Sequence, residues 1–220
     1  MALQQWARGR VSGALRAFDA RHPWSHNDHF ASWVLAHLPV RRDRALDVGC
    51  GRGELLAVLS PHVREVVGCD VDADMRRLAG QRCAGLDNVV VAGGPWHEIA
   101  GPFDVVTMVA VLHHLDLPEA LREVRRLLAP GGRFLAVGLA RPDGVRDRLW
   151  EAASVVTNPL IGVVKHPWPA RGAPSGPPLP VREPTTTFDE LRACARKILP
   201  GAQLRHRLAF RHTIAWTRPD

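Results

Sequence analysis

One stretch limits the fold more than any other: residues 45–56, ALDVGCGRGELL. Small and apolar residues lead into Asp47. Gly49, Gly51 and Gly53 then alternate with Cys50 and Arg52, and Leu55, Leu56, Val58 and Leu59 resume at helical spacing. The pattern reads as a buried strand, a tight turn and a helix, the opening unit of a nucleotide-binding α/β sheet. Glycine suits such a turn because it takes positive φ cheaply and its missing Cβ lets a ligand lie on the backbone. Exposed N–H groups at the start of the helix then favour a carboxylate or phosphate. A dinucleotide fingerprint would put its last small residue at the sixth position of the turn. Here that position is Glu54, and the third glycine comes one place early.

The strand–helix rhythm continues. EVVGCD (65–70) reads as a second buried strand ending in Asp70. This acid follows Gly49 by about twenty residues, the spacing of a ribose-binding carboxylate, which can accept from both ribose hydroxyls at once. Asp72 fits the N-cap of the helix that follows. NVVVAGG (88–94) is a third strand, and FDVVTMVAVLHHLD (103–116) is a fourth that ends in His113 and His114. Pro118 opens a helix, and Pro130, Gly131 and Gly132 turn into a fifth strand. Strands separated by helices in this way imply a doubly wound parallel sheet.

Outside that core, residues 1–20 pattern as an amphipathic helix. A second helix begins between Ser25 and Asp28, with Phe30, Trp33, Val34 and Leu38 on its apolar face. His22, His26 and His29 crowd this segment, but only Asp28 accompanies them, so surface or lid histidines are expected rather than a metal site. VRDRLWEAASVV reads as helix, and the proline-rich residues 158–184 as an extended loop. Thr187 and Glu190 form a capping box at the start of a last helix, and AQLRHRLAF with RHTIAWTR reads as a terminal strand pair.

A length of 220 residues suits one α/β domain, and a hydrophobic fraction of 46% argues against global disorder. No apolar run is long enough to span a membrane and MALQQWARGR has no apolar signal core, so a cytoplasmic location is expected. Cys50, Cys69, Cys83 and Cys194 form no metal-binding pair and read as reduced packing residues. The net charge of +7 comes from arginine, since only Lys165 and Lys197 are lysines. Such a charge brings nucleic acid into consideration, but the arginines are spread along the chain instead of forming one tract.

ALDVGCGRGELL, VVGCDVDADM, FDVVTMVAVLHHLD and LLAPGGRFLAV resemble, in order, the successive motifs of class I S-adenosylmethionine-dependent methyltransferases of the methyltransferase-11/12 kind. The resemblance spans about residues 24–140. The two ends, WSHNDHF and ILPGAQLRHRLAFRHTIAWTRP, look like those of a bacterial subgroup of small methyltransferases and name no substrate. The resemblance implies a Rossmann-like, mostly parallel sheet of seven strands in the order 3-2-1-4-5-7-6, with the last strand antiparallel. It implies a single domain: an N-terminal helical lid (1–40), a cofactor-binding core (41–141), a proline-rich insertion (142–186), and a terminal helix and strand pair (187–220). The implied activity is methyl transfer from S-adenosyl-L-methionine to a small-molecule acceptor, leaving S-adenosyl-L-homocysteine. A nucleic-acid methyltransferase and a non-catalytic protein with a degenerate pocket are the alternatives.

Carried over residue by residue, Asp47, Gly49, Cys50 and Gly51 would line the methionine part of the cofactor. Asp70 would hold the ribose, Val71 would pack on adenine, and Gly94 and Pro95 would border it. Val109 and Ala110 would offer backbone to the methionine amino group. Relatives usually carry an aspartate where this chain has Gly94, so one acceptor for the adenine amino group is absent. The chain contains no tyrosine, and Phe30 and His212 stand where relatives often have it. If the acceptor needs a general base, the candidates are His114 and His113 at the sheet edge, with His26 and His29 as rivals; a structural role for the histidine pair is the equal alternative. Some relatives bind a metal here through glutamate and histidine. Ala110 and His113 take the place of those carboxylates, so no metal is expected.

Overall fold

The computed structural model describes residues 26–144, 183–207 and 211–220, with side chains from Phe30 onward. The helix expected over residues 1–20, the helix after Pro142 and most of the proline-rich segment lie outside the described residues.

The strands are β1 (Arg44–Val48), β2 (Glu65–Cys69), β3 (Val89–Ala92), β4 (Phe103–Val109), β5 (Leu128–Gly138), β6 (Gln203–Arg207) and β7 (Arg211–Thr217). They form one sheet in the order β3-β2-β1-β4-β5-β7-β6. The first five run parallel, and β7 is antiparallel to both β5 and β6. This is the expected order and orientation. β1, β2 and β4 are near-continuously buried, as strands covered on both faces must be.

Among the described residues five helices cover the sheet: α1 (His26–Ala36), α2 (Glu54–Leu59), α3 (Ala73–Arg82), α4 (Leu117–Leu127) and α5 (Phe188–Ile198). One face packs Leu121, Val124, Leu127, Phe188, Leu191 and Ala195 of α4 and α5 over Leu46, Met108, Phe134 and Ile214. The other packs Val34 of α1, Leu56 and Leu59 of α2 and Ala79 of α3 over Ala45, Val66, Val105, Leu135 and Ala215. The local signals behave as the sequence dictates. Asp72 caps α3 by accepting from the N–H groups of Asp74 and Met75, Asp116 caps α4, and Thr187 with Glu190 closes a complete capping box on α5. Among the described residues no helix is long and apolar enough to cross a membrane.

The amino ends of β1 and β4 are joined by Asp104. Its buried carboxylate accepts from the backbone N–H groups of Asp43 (2.8 Å) and Arg44 (3.0 Å) and from Arg41 Nε. Burial alone would raise its pKa, but these donors outweigh burial and hold it below the ordinary carboxylate value. A lowered folded-state pKa means the stabilisation is present at neutral pH and is lost as pH falls through the folded value. Asp104→Ala should therefore reduce the unfolding free energy by about 2 kcal/mol at pH 7, because two backbone donors lose their acceptor. The deficit should shrink below pH 4. Urea unfolding at pH 7 and pH 3.5 checks both, and equal stability of the two proteins at pH 7 would contradict the role.

Candidate functional site

The last residues of β1, β2 and β4 (Val48, Cys69 and Val109) meet the glycine turn around a cavity of about 330 Å³. The turn is pinned to the end of β2. The N–H groups of Gly49 and Cys50 both donate to the Cys69 carbonyl (2.8 and 2.9 Å), Gly53 N–H donates to the Cys50 carbonyl, and Gly51 N–H donates to Asp70 Oδ2 (2.9 Å). Most of the turn's donors are thus used within the protein. The N–H groups expected to favour an anion are those that open the following helix, α2, whose N-terminus carries no side-chain cap. Gly53 has a positive φ of 78°, and a Cβ there would lie 3.0 Å from Ala79 Cα. It therefore also sets how closely α3 approaches α2.

Asp70 has a second tie, since its Oδ1 accepts from Asp72 N–H (2.9 Å). A carboxylate offers about four lone-pair sites, so about two remain for a ligand. Arg76, which the sequence did not single out, donates to the carbonyls of Asp70 (2.8 Å) and Val71 (3.0 Å) and holds this corner in place. Val71 stands at the cavity wall 91% exposed, an apolar side chain with nothing covering it.

Asp47 is buried against β4. In the parallel register it faces Thr107, whose hydroxyl lies 2.6 Å from Asp47 Oδ1 and 3.4 Å from the Leu46 carbonyl. Burial pushes the Asp47 pKa up to about 7; the Thr107 bond works against this, and the charges of Asp70 and Glu54 add to it. Glu54 is itself paired with Arg82 (3.3 Å). The thiols of Cys50 and Cys69 are also raised by burial, that of Cys69 to about 12, which makes them inert packing groups as expected.

All but one of the expected cofactor residues come together on this cavity: Asp47, Gly49, Cys50, Gly51, Asp70 and Val71, then Gly94, Val109 and Ala110. Pro95 does not line it, while its neighbour Trp96 does. Ala110 takes a positive φ of 60°, unusual for a residue with a Cβ, and its N–H is bound to the Val137 carbonyl (2.7 Å). What it can offer a ligand is its carbonyl, the acceptor an ammonium group needs. His114 lines the cavity, whereas His113 does not; the two rings lie 4.1 Å apart. His26 and His29 fall in the first turn of α1, and their side chains lie outside the described residues. The same helix places Ala31 on the cavity wall.

The apolar wall of Leu55, Val58, Met75 and Leu115 was missed. In sequence these residues look like ordinary helix or turn positions, and only the fold shows which of them face the ligand side. His212 is buried against the end of β5, with its Nε2 2.6 Å from where a Cβ on Gly138 would be. Burial, reinforced by the positive charges of His206, Arg211 and His113, pushes its pKa down to about 3, so it is neutral at physiological pH.

Residues 46–136 match the family model described as a methyltransferase domain. An uncharacterized methyltransferase of Mycobacterium tuberculosis is 34% identical over 204 residues, covering 90% of this chain and 98% of its own. A demethylmenaquinone methyltransferase of Staphylococcus aureus is 32% identical over 117 residues, covering 50% and 48%. Among solved structures, the YcgJ protein of Bacillus subtilis superposes with a TM-score of 0.58 at 24% identity, covering 81% of this chain and 71% of its own. A SAM-dependent methyltransferase from Aquifex aeolicus gives 0.57 at 18% identity, covering 86% and 89%.

A carboxyl whose folded pKa is raised contributes stability that is fully present below its unfolded value of 3.8 and is lost as pH rises through about 7. Asp47→Asn should therefore make the ligand-free protein more stable than wild type at pH 8, by roughly 1–3 kcal/mol. The advantage should fade toward pH 5. Denaturant melts across that range check it, and a wild type that is the more stable at pH 8 would contradict the assignment.

Proposed function

The chain belongs to the S-adenosylmethionine-dependent methyltransferases, and from that premise we propose that it transfers a methyl group to a small molecule held over the carboxyl edge of the sheet. The observation that carries this reading is the charge of the cavity. In a chain of net charge +7, three carboxyl groups (Asp47, Glu54 and Asp70) line a single cavity against one guanidinium, Arg52. Phosphates of a dinucleotide would be repelled there, whereas a sulfonium and an ammonium are favoured. The cavity volume is also that of a small-molecule site. The demethylmenaquinone methyltransferase relative, named for a small acceptor, supports the same class.

When bound, S-adenosyl-L-methionine supplies a methyl group on a positively charged sulfur, already activated toward a nucleophile. The residues around the cavity fit it. Asp70 has lone pairs left for both ribose hydroxyls, and Val71 and Trp96 offer apolar surface for the adenine ring. Asp47 and the backbone of Gly49, Cys50 and Gly51 border the methionine end, and the carbonyls of Val109 and Ala110 receive its ammonium. Gly94 borders the adenine edge, with no charged acceptor for its amino group, and Pro95 stands behind it off the cavity wall. The protein's main task is to align the reactants and keep water out. In this reading α1 and the segment before it form a lid, residues 142–186 select the acceptor, and residues 187–220 complete the single domain. His114 is the base best placed to take a proton from a neutral nucleophile, with the His113 ring packed against it and His26 and His29 as the rival candidates.

Asp70→Ala should weaken S-adenosylmethionine binding by ten- to a hundredfold, the loss of a charged acceptor worth about 1.5–3 kcal/mol. Gly51→Val should weaken it further. Gly51 has a φ of 53°, and no atom lies within 4 Å of where a Cβ would stand, so the new side chain would be strained and would fill ligand space. Calorimetric titration of the folded variants checks both, and wild-type affinity in the two would overturn the site. Gly94 likewise has open space around a Cβ, and its φ of 87°, which strains most side chains, is one that aspartate tolerates better than a branched residue. Gly94→Asp should therefore tighten S-adenosylmethionine threefold or more while leaving the inosine analogue unaffected. Unchanged affinity would mean that a backbone carbonyl already serves the adenine amino group.

A further inference from the structure

On the β6–β7 hairpin, Arg207 and Arg211 stand directly opposite each other in the antiparallel register. Like charges at such a pair repel, and the arrangement lacks the compensation expected of a structural pair. None of the ion pairs among the described residues involves Arg205, Arg207 or Arg211. Arg211 Nη1 is shut off from solvent with no hydrogen-bond partner, and burial lowers the guanidinium pKa. A half-buried cation without a counter-charge is costly and calls for an explanation. Arg207 Nε donates to Thr213 Oγ1 (3.2 Å), which fixes one fork of the pair and places a hydroxyl on the same face.

The register ties this pair to the cavity. Val109, on the cavity wall, is aligned with Val137 on β5, and Val137 with Thr213 on β7. Two strand spacings, about 10 Å, separate Val109 from Thr213. Because β7 is antiparallel, Arg211 begins it at the carboxyl edge of β4 and β5, the edge on which the cavity opens. The charge signs differ along that edge: carboxylates line the cavity, and unpaired guanidiniums lie two strands away.

We propose that Arg207 and Arg211 form an anion subsite that holds a carboxylate or phosphate of the methyl acceptor at the carboxyl edge of the sheet, two strands from the cavity wall at Val109. The proposal rests on the small-molecule reading above and names its substrate class: a small acceptor with an anionic group at one end. The planar guanidinium fork suits both carboxylate and phosphate.

The test uses the full chain saturated with S-adenosylhomocysteine, titrated separately with inorganic phosphate and with benzoate. Binding is read by thermal shift and by NMR of the arginine Nε–H signals. At least one anion should bind saturably, raise the melting temperature and move the Arg207 and Arg211 signals. The tighter of the two identifies the anionic group as phosphate or carboxylate. In Arg211→Gln, and independently in Arg207→Gln, that anion should bind at least tenfold more weakly, with S-adenosylhomocysteine affinity unchanged. No saturable binding of either anion to wild type would overturn the subsite, as would equal binding by a folded variant. Tighter binding of a mixed transfer RNA than of either anion, lost in the variants, would overturn the small acceptor. Failure of S-adenosylhomocysteine itself to bind would instead count against the cofactor assignment, and titration of the anions alone would still read the subsite.

Discussion

The end of β2 holds the glycine turn, and the rest of the site depends on that junction. One carbonyl, that of Cys69, takes two N–H groups from the turn, and the next side chain, Asp70, takes a third. These bonds bring the turn over the strand ends and set Asp70 at the rim of the cavity with lone pairs still available. They also leave the turn's own donors facing protein acceptors. Arg76 binds the carbonyls of Asp70 and Val71 from α3, and Gly53 lets that helix come close. The pocket is therefore held by neighbouring elements and does not need a ligand to shape it.

The second constraint is electrostatic. Asp47 is placed by strand register, not by attraction, and it is buried close enough to Asp70 and Glu54 for their charges to oppose its ionisation. Such an arrangement costs stability in the empty protein, and a bound cation would offset that cost. Ala110 adds a smaller strain, since positive φ at a residue with a Cβ is unfavourable by about 1 kcal/mol. Both departures from ordinary packing lie on the same cavity wall, which fits the tendency of strain to collect where ligands bind.

Much of this was legible in the sequence because it is local. The glycine turn, the strand ending in Asp70, the caps at Asp72 and Thr187 and the strand–helix rhythm each occupy a few consecutive residues. The seven-strand order and the antiparallel β7 came from the family resemblance, and the sheet confirms them. What was not legible is non-local. Asp104 clamps a segment some sixty residues earlier in the chain, Thr107 meets Asp47 only through register, and Arg207 faces Arg211 only once the hairpin has formed. Pro95 and Trp96 show the remaining limit: a motif places a loop on the cavity, but not which of two adjacent residues turns inward.

The central claim is that this carboxylate-lined cavity binds a cationic methyl donor. Calorimetric titration at pH 7 in two buffers of different ionisation enthalpy measures it directly. A positive sulfur near Asp47 should drive its remaining proton off. S-adenosylmethionine should therefore bind with a buffer-dependent enthalpy that reports proton release. S-adenosylhomocysteine, whose sulfur is neutral, should release less, and a nicotinamide dinucleotide should not compete. Buffer-independent enthalpies that are the same for both sulfur compounds, or tighter binding of the dinucleotide, would contradict the account.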